Sequence, residues 1–153
     1  MKFSHLDRQG KPQMVDISSK PRVSRTAVAE LKVEISPETA ALIQELKLPK
    51  GNPFDAARLA GIQAAKQTGS MIPLCHTLPL DFVDVRIELR PGHFWVQSEV
   101  KCRWSTGVEM EALTAAAVAA LTLYDMCKAV DRGLRITDLH LVEKKKEDPG
   151  TLI

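Results

Sequence analysis

The chain has 153 residues, about the length of one domain and enough to bury a hydrophobic core without disulfides or structural metals. Its apolar content of 44% and charged content of 26% are typical of a soluble globular protein. The formal net charge of +2 is too small for the dense basic surface of a nucleic-acid-binding protein, so the sequence excludes that class.

Membrane and secreted proteins are also disfavoured. The longest apolar run, Ala112 to Tyr124, is half alanine and includes two threonines, so we read it as too short and too polar to span a bilayer. The N-terminus lacks the apolar core of a signal peptide. The cysteines Cys75, Cys102 and Cys127 are widely spaced and form no C-x-x-C pair. We therefore expect reduced thiols in a cytoplasmic protein.

The first part of the chain is polar and then begins to alternate. Residues 1–24 show no sustained period and are predicted to form an extended arm. From Thr26 to Ile35 apolar and polar residues alternate, which predicts a half-buried strand. Ser36-Pro37-Glu38 then supplies an N-cap, a proline at the first helical position and an acid in the first turn. A helix to about Leu46 is expected.

A second helix is predicted to begin after the loop of residues 47–52. Asn52-Pro53 repeats the signal of a cap followed by proline, and the helix is expected to end near Gln67, with Gly69 as its C-terminal stop. Residues 82–90 alternate, as do residues 94–104, and Pro91-Gly92 separates the two runs. This pattern predicts a β-hairpin.

The longest predicted helix covers residues 108–130 and is followed by a strand from about Leu134 to Val142. Residues 144–153 are charged and then turn-like, and we expect a mobile tail. The order β-α-α-β-β-α-β, within a single domain of residues 1–153, predicts an α+β fold. Without one short helix it is the ferredoxin-like arrangement, an antiparallel sheet with helices packed on one face. The other face must meet solvent or another subunit.

The long helix carries the charged residues of greatest interest. Asp125 and Lys128 are three residues apart and share one helix face, where most such pairs are solvated. Their neighbours in LYDMCKAV are apolar or small, which favours partial burial and shifted pKa values instead. Both interpretations stay open at this point.

Acidic residues also begin this helix, at Glu109-Met110-Glu111, where they stabilise the helix dipole. Glu111 and Asp125 lie close to four full turns apart and face the same way, but that length of helix rises about 21 Å. Two side chains so far apart cannot hold one small molecule within a single chain. Either one end alone is functional, or the two ends meet across a symmetric interface between two copies.

A further candidate is the loop at Lys50-Gly51, directly before a helix N-terminus. Backbone N–H groups and a lysine there can bind an anion, although a loop lysine is usually only solvated. Arg25, at the end of the arm, could add positive charge around a phosphate, and so could Lys20 and Arg22.

Cys75 and His76 stand side by side within PLCHTLPL, residues 73–80. A metal site needs further ligands at suitable spacing, and the other histidines form no H-x-H or H-x3-H group, so none is predicted. Adjacent residues of an extended segment point to opposite sides, which argues against a Cys-His catalytic pair. A packed cysteine beside an outward-facing histidine is expected.

Taken together, four segments resemble one family. They are MVDISSK, KGNPFDAARLAGIQAAKQT, MIPLCHTLPL and TGVEMEALTAAAVAALTLYDMCKAV, and between about residues 14 and 142 they are similar to the MoaC family of molybdenum cofactor biosynthesis. This is the family of cyclic pyranopterin monophosphate synthases. The resemblance implies a cytoplasmic lyase that converts 3',8-cyclo-7,8-dihydroguanosine 5'-triphosphate to cyclic pyranopterin monophosphate and releases pyrophosphate.

The resemblance also implies roles for individual residues. The catalytic aspartate and lysine of the family fall on Asp125 and Lys128, and the lysine of its K-G loop falls on Lys50. With Arg25 added for its charge, the substrate-binding residues are Leu74, Cys75, His76, Met110, Glu111 and Arg25. No cofactor is required, although Mg²⁺ could accompany the triphosphate. The assembly implied is a hexamer, a trimer of dimers with sites shared between subunits.

Two positions depart from the family pattern. Thr77 follows His76 where the family has proline, which could loosen how the histidine is held. Asn52-Pro53 follows Gly51 where the family has an acid, but Asn52 can still cap the helix. The alternative from another function class is a non-catalytic ferredoxin-like sensor that binds a small ligand between subunits.

Overall fold

A computed structural model describes residues 5–147, and within them the chain forms four strands and three helices. In chain order these are β1 (Val23–Glu34), α1 (Pro37–Gln44), α2 (Pro53–Met71), β2 (Phe82–Arg90), β3 (His93–Trp104), α3 (Glu109–Cys127) and β4 (Arg135–Glu147). The predicted order of elements is confirmed.

The strands form one antiparallel sheet in the order β2-β3-β1-β4. Alternate residues of β3, from Phe94 to Cys102, are buried against the helices, as the period of two predicts. Helices α2 and α3 pack on that face, and each contacts the other as well as the sheet. This is the α+β, ferredoxin-like arrangement that the sequence predicts.

Helix α3 forms the centre of the core. The alanines of its buried stripe have no exposed surface: Ala112, Ala115, Ala116, Ala119 and Ala120. The helix extends beyond the apolar run seen in the sequence. It is long and apolar enough to cross a membrane by length and composition, with a mean hydropathy of 1.3 over its most apolar 18 residues. The burial of its alanine face against the sheet and α2 is that of a core helix.

Helices α2 and α3 approach each other at Gly61. A Cβ atom added there would lie 2.8 Å from the carbonyl oxygen of Ala115 and 3.0 Å from Cγ2 of Val85. The two helices run antiparallel, because the chain before α2 meets the end of α3 and the chain after α2 meets its beginning. The close approach of the two helices therefore requires glycine at position 61.

Both predicted helix ends before the hairpin are wrong. Helix α1 stops at Gln44, and Leu46 adopts a positive φ of 56° that a helix cannot contain. Helix α2 continues to Met71, so Gly69 lies inside it. A Cβ atom on Gly69 would lie 2.9 Å from the carbonyl oxygen of His76, so this glycine serves a tertiary contact rather than a helix stop.

The ends of the sheet also differ from the prediction. Strand β1 begins at Val23, inside the predicted arm. Strand β4 runs to Glu147, so residues 144–147, predicted as tail, pair with β1 between Ala27 and Ser24. Charged side chains suit an edge strand exposed to water, which explains how a charged segment continues the sheet. Residues 148–153 of the predicted tail lie outside the described residues.

The sheet face opposite the helices is polar. Ion pairs on it include Lys101 with Glu99 at 2.8 Å, and the Arg90 guanidinium lies 4.1 Å from the centroid of the Trp95 ring. Such pairs are compatible with water, so this face needs no covering helix.

We expect Gly61→Ala to lower the free energy of unfolding. Alanine normally stabilises a helix interior by about 0.5–1 kcal/mol over glycine, but here the added Cβ meets backbone, and overpacking of this kind costs about 1–3 kcal/mol. Urea unfolding at fixed protein concentration measures the balance. In the control Gly133→Ala, the new Cβ would lie at an ordinary 3.4 Å from Asp131. A Gly61→Ala protein as stable as the unchanged chain would contradict the packing argument.

Candidate functional site

The C-terminal end of α3 carries two lysines around one carboxylate. Lys128 Nζ lies 2.9 Å from Oδ1 of Asp125, and Lys50 Nζ lies 2.5 Å from Oδ2. The first contact follows from helical spacing. The second joins residues 75 positions apart, because the antiparallel packing of α2 and α3 brings the loop before α2 to the end of α3.

Local chemistry fixes the loop that carries Lys50. Gly51 has a φ of +84°, which favours glycine, and its N–H donates to the carbonyl of Leu48, whose side chain is buried. The side chain of Asn52 accepts a hydrogen bond of 2.9 Å from the N–H of Phe54 and caps α2, as predicted. The departure from the family pattern at Asn52 therefore leaves the helix start intact.

The charges of this cluster are exposed to solvent. The side chains of Lys50, Asp125 and Lys128 are 43%, 50% and 58% exposed, so the pair on α3 is not buried within one chain. Hydrogen bonds from Lys50 and then from Lys128 lower the pKa of Asp125 to about 2. The bond to Asp125 raises the pKa of Lys128. At neutral pH the cluster thus holds an ionised carboxylate between two ammonium groups.

A cavity of about 470 Å³ lies at the other end of α3. Its walls come from the N-terminal arm, the segment after α2 and the first turn of α3. Five of the predicted substrate contacts line it: Leu74, Cys75, His76, Met110 and Glu111. Two segments that are separate in the sequence are therefore brought together here.

Glu111 is the buried acid of this cavity, with 4% of its surface exposed. Burial raises the pKa of its carboxyl to about 7, and the nearby charge of Glu109 adds to the shift. Burial and the charge of Glu111 likewise raise the pKa of the Cys75 thiol. A thiol of that kind is poorly suited to act as a nucleophile, in keeping with the predicted packing role of Cys75.

His76 and Cys75 both line the cavity, which differs from the predicted opposite orientation. The reason is local, because Cys75 donates its N–H to the carbonyl of Ile72 and so ends a turn rather than lying in an extended strand. The ring of His76 is half-buried, and its Nε2 lies 2.8 Å from the carbonyl oxygen of Val15. Since a carbonyl can only accept, Nε2 carries the hydrogen.

Arg25 is not brought into either cluster. It lies on β1 opposite Cys102 and lines a separate depression that also contains Asp81. Its Nε atom is buried without a hydrogen-bond partner in the described part of the chain. Among residues 5–147, no group of three or more His, Cys, Asp or Glu side chains could hold a metal ion.

Sequence reasoning missed several residues around the cavity. Lys144 forms an ion pair with Glu109, but it lay in the predicted tail. Val15 contacts His76 through its backbone carbonyl, which no side-chain pattern can indicate, although the residue lies within the MVDISSK segment. Gly69 allows the chain at Thr77 to pack against α2, because a Cβ atom on Gly69 would lie 2.9 Å from Cα of Thr77.

Comparisons with known proteins agree on one family. The model of the MoaC family matches residues 14–147. The chain is 52% identical over 145 residues to the cyclic pyranopterin monophosphate synthase of Parvibaculum lavamentivorans, covering 94% of this chain and 91% of the relative. It is 49% identical over 151 residues to the protein of that name from Thermomicrobium roseum, covering 97% and 91%.

A third relative is longer. The chain is 50% identical over 144 residues to the molybdenum cofactor biosynthesis bifunctional protein of Chlorobaculum tepidum. That match covers 94% of this chain but 46% of the relative, so the chain spans about half the length of the bifunctional protein.

We expect Glu111 to make stability pH-dependent. Its folded pKa of about 7 exceeds the ordinary 4.5, so the contribution of its neutral form is complete below pH 4.5 and is lost as the pH rises through 7. The loss amounts to roughly 3 kcal/mol. Urea unfolding at about pH 5 and about pH 8 should show this fall, and Glu111→Gln should remove it.

Glu88→Gln is the matched control, because Glu88 is exposed and paired with Arg90 at 2.7 Å. It should keep the pH dependence of the unchanged chain. Parallel pH curves for Glu111→Gln and the unchanged chain would show that Glu111 is not held neutral by burial.

Proposed function

The chain belongs to the MoaC family, and on that premise we propose that it catalyses the formation of cyclic pyranopterin monophosphate in molybdenum cofactor biosynthesis. Its substrate is 3',8-cyclo-7,8-dihydroguanosine 5'-triphosphate, and the lyase reaction releases pyrophosphate. The observation that carries this proposal is that Lys50, Asp125 and Lys128 form one cluster of ion pairs. The family resemblance marks all three residues as catalytic, although Lys50 is distant from the other two in the sequence.

The two lysines of the cluster suit a triphosphate. Lys50 and Lys128 carry positive charge at a half-exposed position that a bound anion can reach. As pyrophosphate leaves, negative charge develops on its oxygens, and ammonium groups already in place stabilise that charge. We assign Lys50 and Lys128 to this role.

Asp125 takes its role from the same charges. While both lysines bond to it, its pKa of about 2 makes it a weak base. A triphosphate that draws Lys50 away removes the largest cause of that low pKa, and one that draws Lys128 away removes the second largest. Substrate binding therefore raises the basicity of Asp125 at the moment when ring opening and closure need proton transfer.

The cavity supplies groups that can transfer protons or bind the rings of the substrate. Glu111, whose pKa lies near 7, can give or take a proton, and such transfers contribute about 10²–10⁴-fold to rate. His76 beside it binds the purine-derived rings or relays a proton. Leu74, Cys75 and Met110 form the surrounding wall. We retain Arg25 as a proposed substrate-binding residue for its positive charge, although within one chain it lines a depression separate from both clusters.

We assign the complete site to two subunits. The lysine cluster and the cavity lie at opposite ends of α3, about 21 Å apart by helical rise, and one small molecule cannot span them within a chain. In a two-fold dimer each cluster completes the cavity of the partner. Three such dimers make the proposed hexamer, located in the cytoplasm. The proposed reaction requires no cofactor, and Mg²⁺ could bind with the triphosphate.

Turnover tests the enzyme against the ligand-binding sensor. Purified protein incubated with the cyclised GTP derivative should release pyrophosphate and a pterin, whereas a folded protein without turnover would support the sensor. Asp125→Asn and Lys128→Ala should each lower turnover by about 10²-fold or more. The melting temperature should stay nearly unchanged, since both side chains are half exposed.

The matched control is Lys32→Ala, which removes another exposed lysine from a 3.0 Å ion pair, with Asp138. It should keep full turnover. Near-normal turnover of either Asp125→Asn or Lys128→Ala would overturn the assigned roles.

Mixing two inactive variants tests the shared site. Asp125→Asn damages the cluster end and His76→Gln the cavity end, so a mixed dimer holds one site with both defects and one intact site. Random reassembly after mild dissociation should recover about one quarter of the unchanged activity. If each site lay within one chain, every site would stay defective and no activity would return.

A further inference from the structure

We propose that residues 15–22 of the N-terminal arm form a positioning strap that holds the His76 ring through Nε2, so that Nδ1 is the nitrogen that serves the substrate. The bond between Nε2 and the carbonyl of Val15 is 2.8 Å long and leaves Nδ1 without a hydrogen in the neutral ring. Only that nitrogen can then accept a proton or a hydrogen bond.

Two contacts fasten the strap to the end of β3. The buried hydroxyl of Ser105 donates a hydrogen bond of 2.8 Å to the carbonyl of Lys20. The guanidinium of Arg22 lies 3.8 Å from the centroid of the Trp104 ring, a distance at which a cation and an aromatic face attract. Both contacts lie on the chain just after Val15, so they limit where its carbonyl can be.

The strap also keeps its own shape. Asp16 accepts a hydrogen bond of 2.9 Å from the N–H of Ser18, and Lys20 donates its N–H to the carbonyl of Ile17. Val15, Ile17 and Lys20 form one wall of the cavity that His76 lines. The arm is therefore a structural part of the cavity, although its sequence predicted only an extended segment.

His76 is held from a second side by α2. The missing side chain of Gly69 admits the backbone of His76 and Thr77 against the helix, within 2.9 Å of where a Cβ would stand. The helix thus places the backbone and the strap orients the ring. Thr77 stands where the family has proline, so the orientation of the His76 ring depends more on its contact with the Val15 carbonyl.

NMR spectroscopy of the full-length, ¹⁵N-labelled protein can read the ring directly. A long-range ¹H–¹⁵N spectrum reports which ring nitrogen bears the hydrogen, and His76→Gln identifies the signals of His76. At a pH where the ring is neutral, the unchanged protein should show a protected Nε2–H on His76. The inference depends on the proposed function only for the reaction that His76 serves, and the ring signal needs no turnover.

The test variant is Arg22→Ala/Ser105→Ala, which removes both fasteners and leaves His76 and Val15 unchanged. We expect the protected Nε2–H signal to disappear and kcat to fall by about tenfold or more, with KM changed much less, because a small displacement of a catalytic group has effects of this size. Arg22→Ala alone serves as a second variant if the double variant does not fold, since Arg22 is exposed.

The control Arg90→Ala/Thr122→Ala removes contacts of the same two kinds elsewhere, from the Trp95 ring and from the carbonyl of Val118. It should keep the signal and kcat. Any one of three results would overturn the proposal. The neutral ring of the unchanged protein could carry its hydrogen on Nδ1, the Nε2–H signal could survive in the test variant, or kcat could stay normal after that signal is lost. If the unchanged protein lacks turnover, the proposed function is wrong. The ring signal alone then shows whether the strap holds His76 through Nε2.

Discussion

The structure depends on how closely α2 and α3 approach each other over the sheet. Gly61 admits the backbone of Ala115, and the alanine stripe of α3 lets the same helix lie flat on β1 and β3. Both helices have 19 residues and run antiparallel, so each end of the pair gathers a loop beside a helix terminus. One end gathers Lys50 and Asp125, and the other gathers His76 and Glu111. The small residues of the core thereby determine where the charged residues stand.

The two ends differ in their exposure to water, and their chemistry differs accordingly. At the open end, two ammonium groups hold the Asp125 carboxylate ionised far below neutral pH. At the closed end, burial keeps a proton on Glu111 up to about neutral pH. In the proposed dimer, a substrate with a polyphosphate and a ring system would meet one environment of each kind, an exposed cluster of charges and a cavity with a buried acid.

The sequence pattern predicted those features of the fold that depend on neighbouring residues alone. Alternation placed β2 correctly at both ends, and the cap at Asn52-Pro53 placed the start of α2. The end of α2 was not predicted because Gly69 makes a contact with a segment distant in the sequence. The end of β4 was not predicted because its charged residues resemble those of a mobile tail. Spacing could indicate that Asp125 meets Lys128. It could not indicate the contact with Lys50 or the carbonyl of Val15, since these depend on tertiary packing.

The length of helix α3 also fixes the distance and the relative orientation of Glu111 and Asp125. Each residue of an α-helix advances the chain by about 1.5 Å and turns it by about 100°. One residue inserted between Glu111 and Asp125 would therefore rotate one end away from the other by more than a quarter turn. In the proposed two-fold dimer, the wrong faces of the two subunits would then meet. Insertions and deletions are compatible with this architecture in its loops, but not within the span of α3 from Glu111 to Asp125.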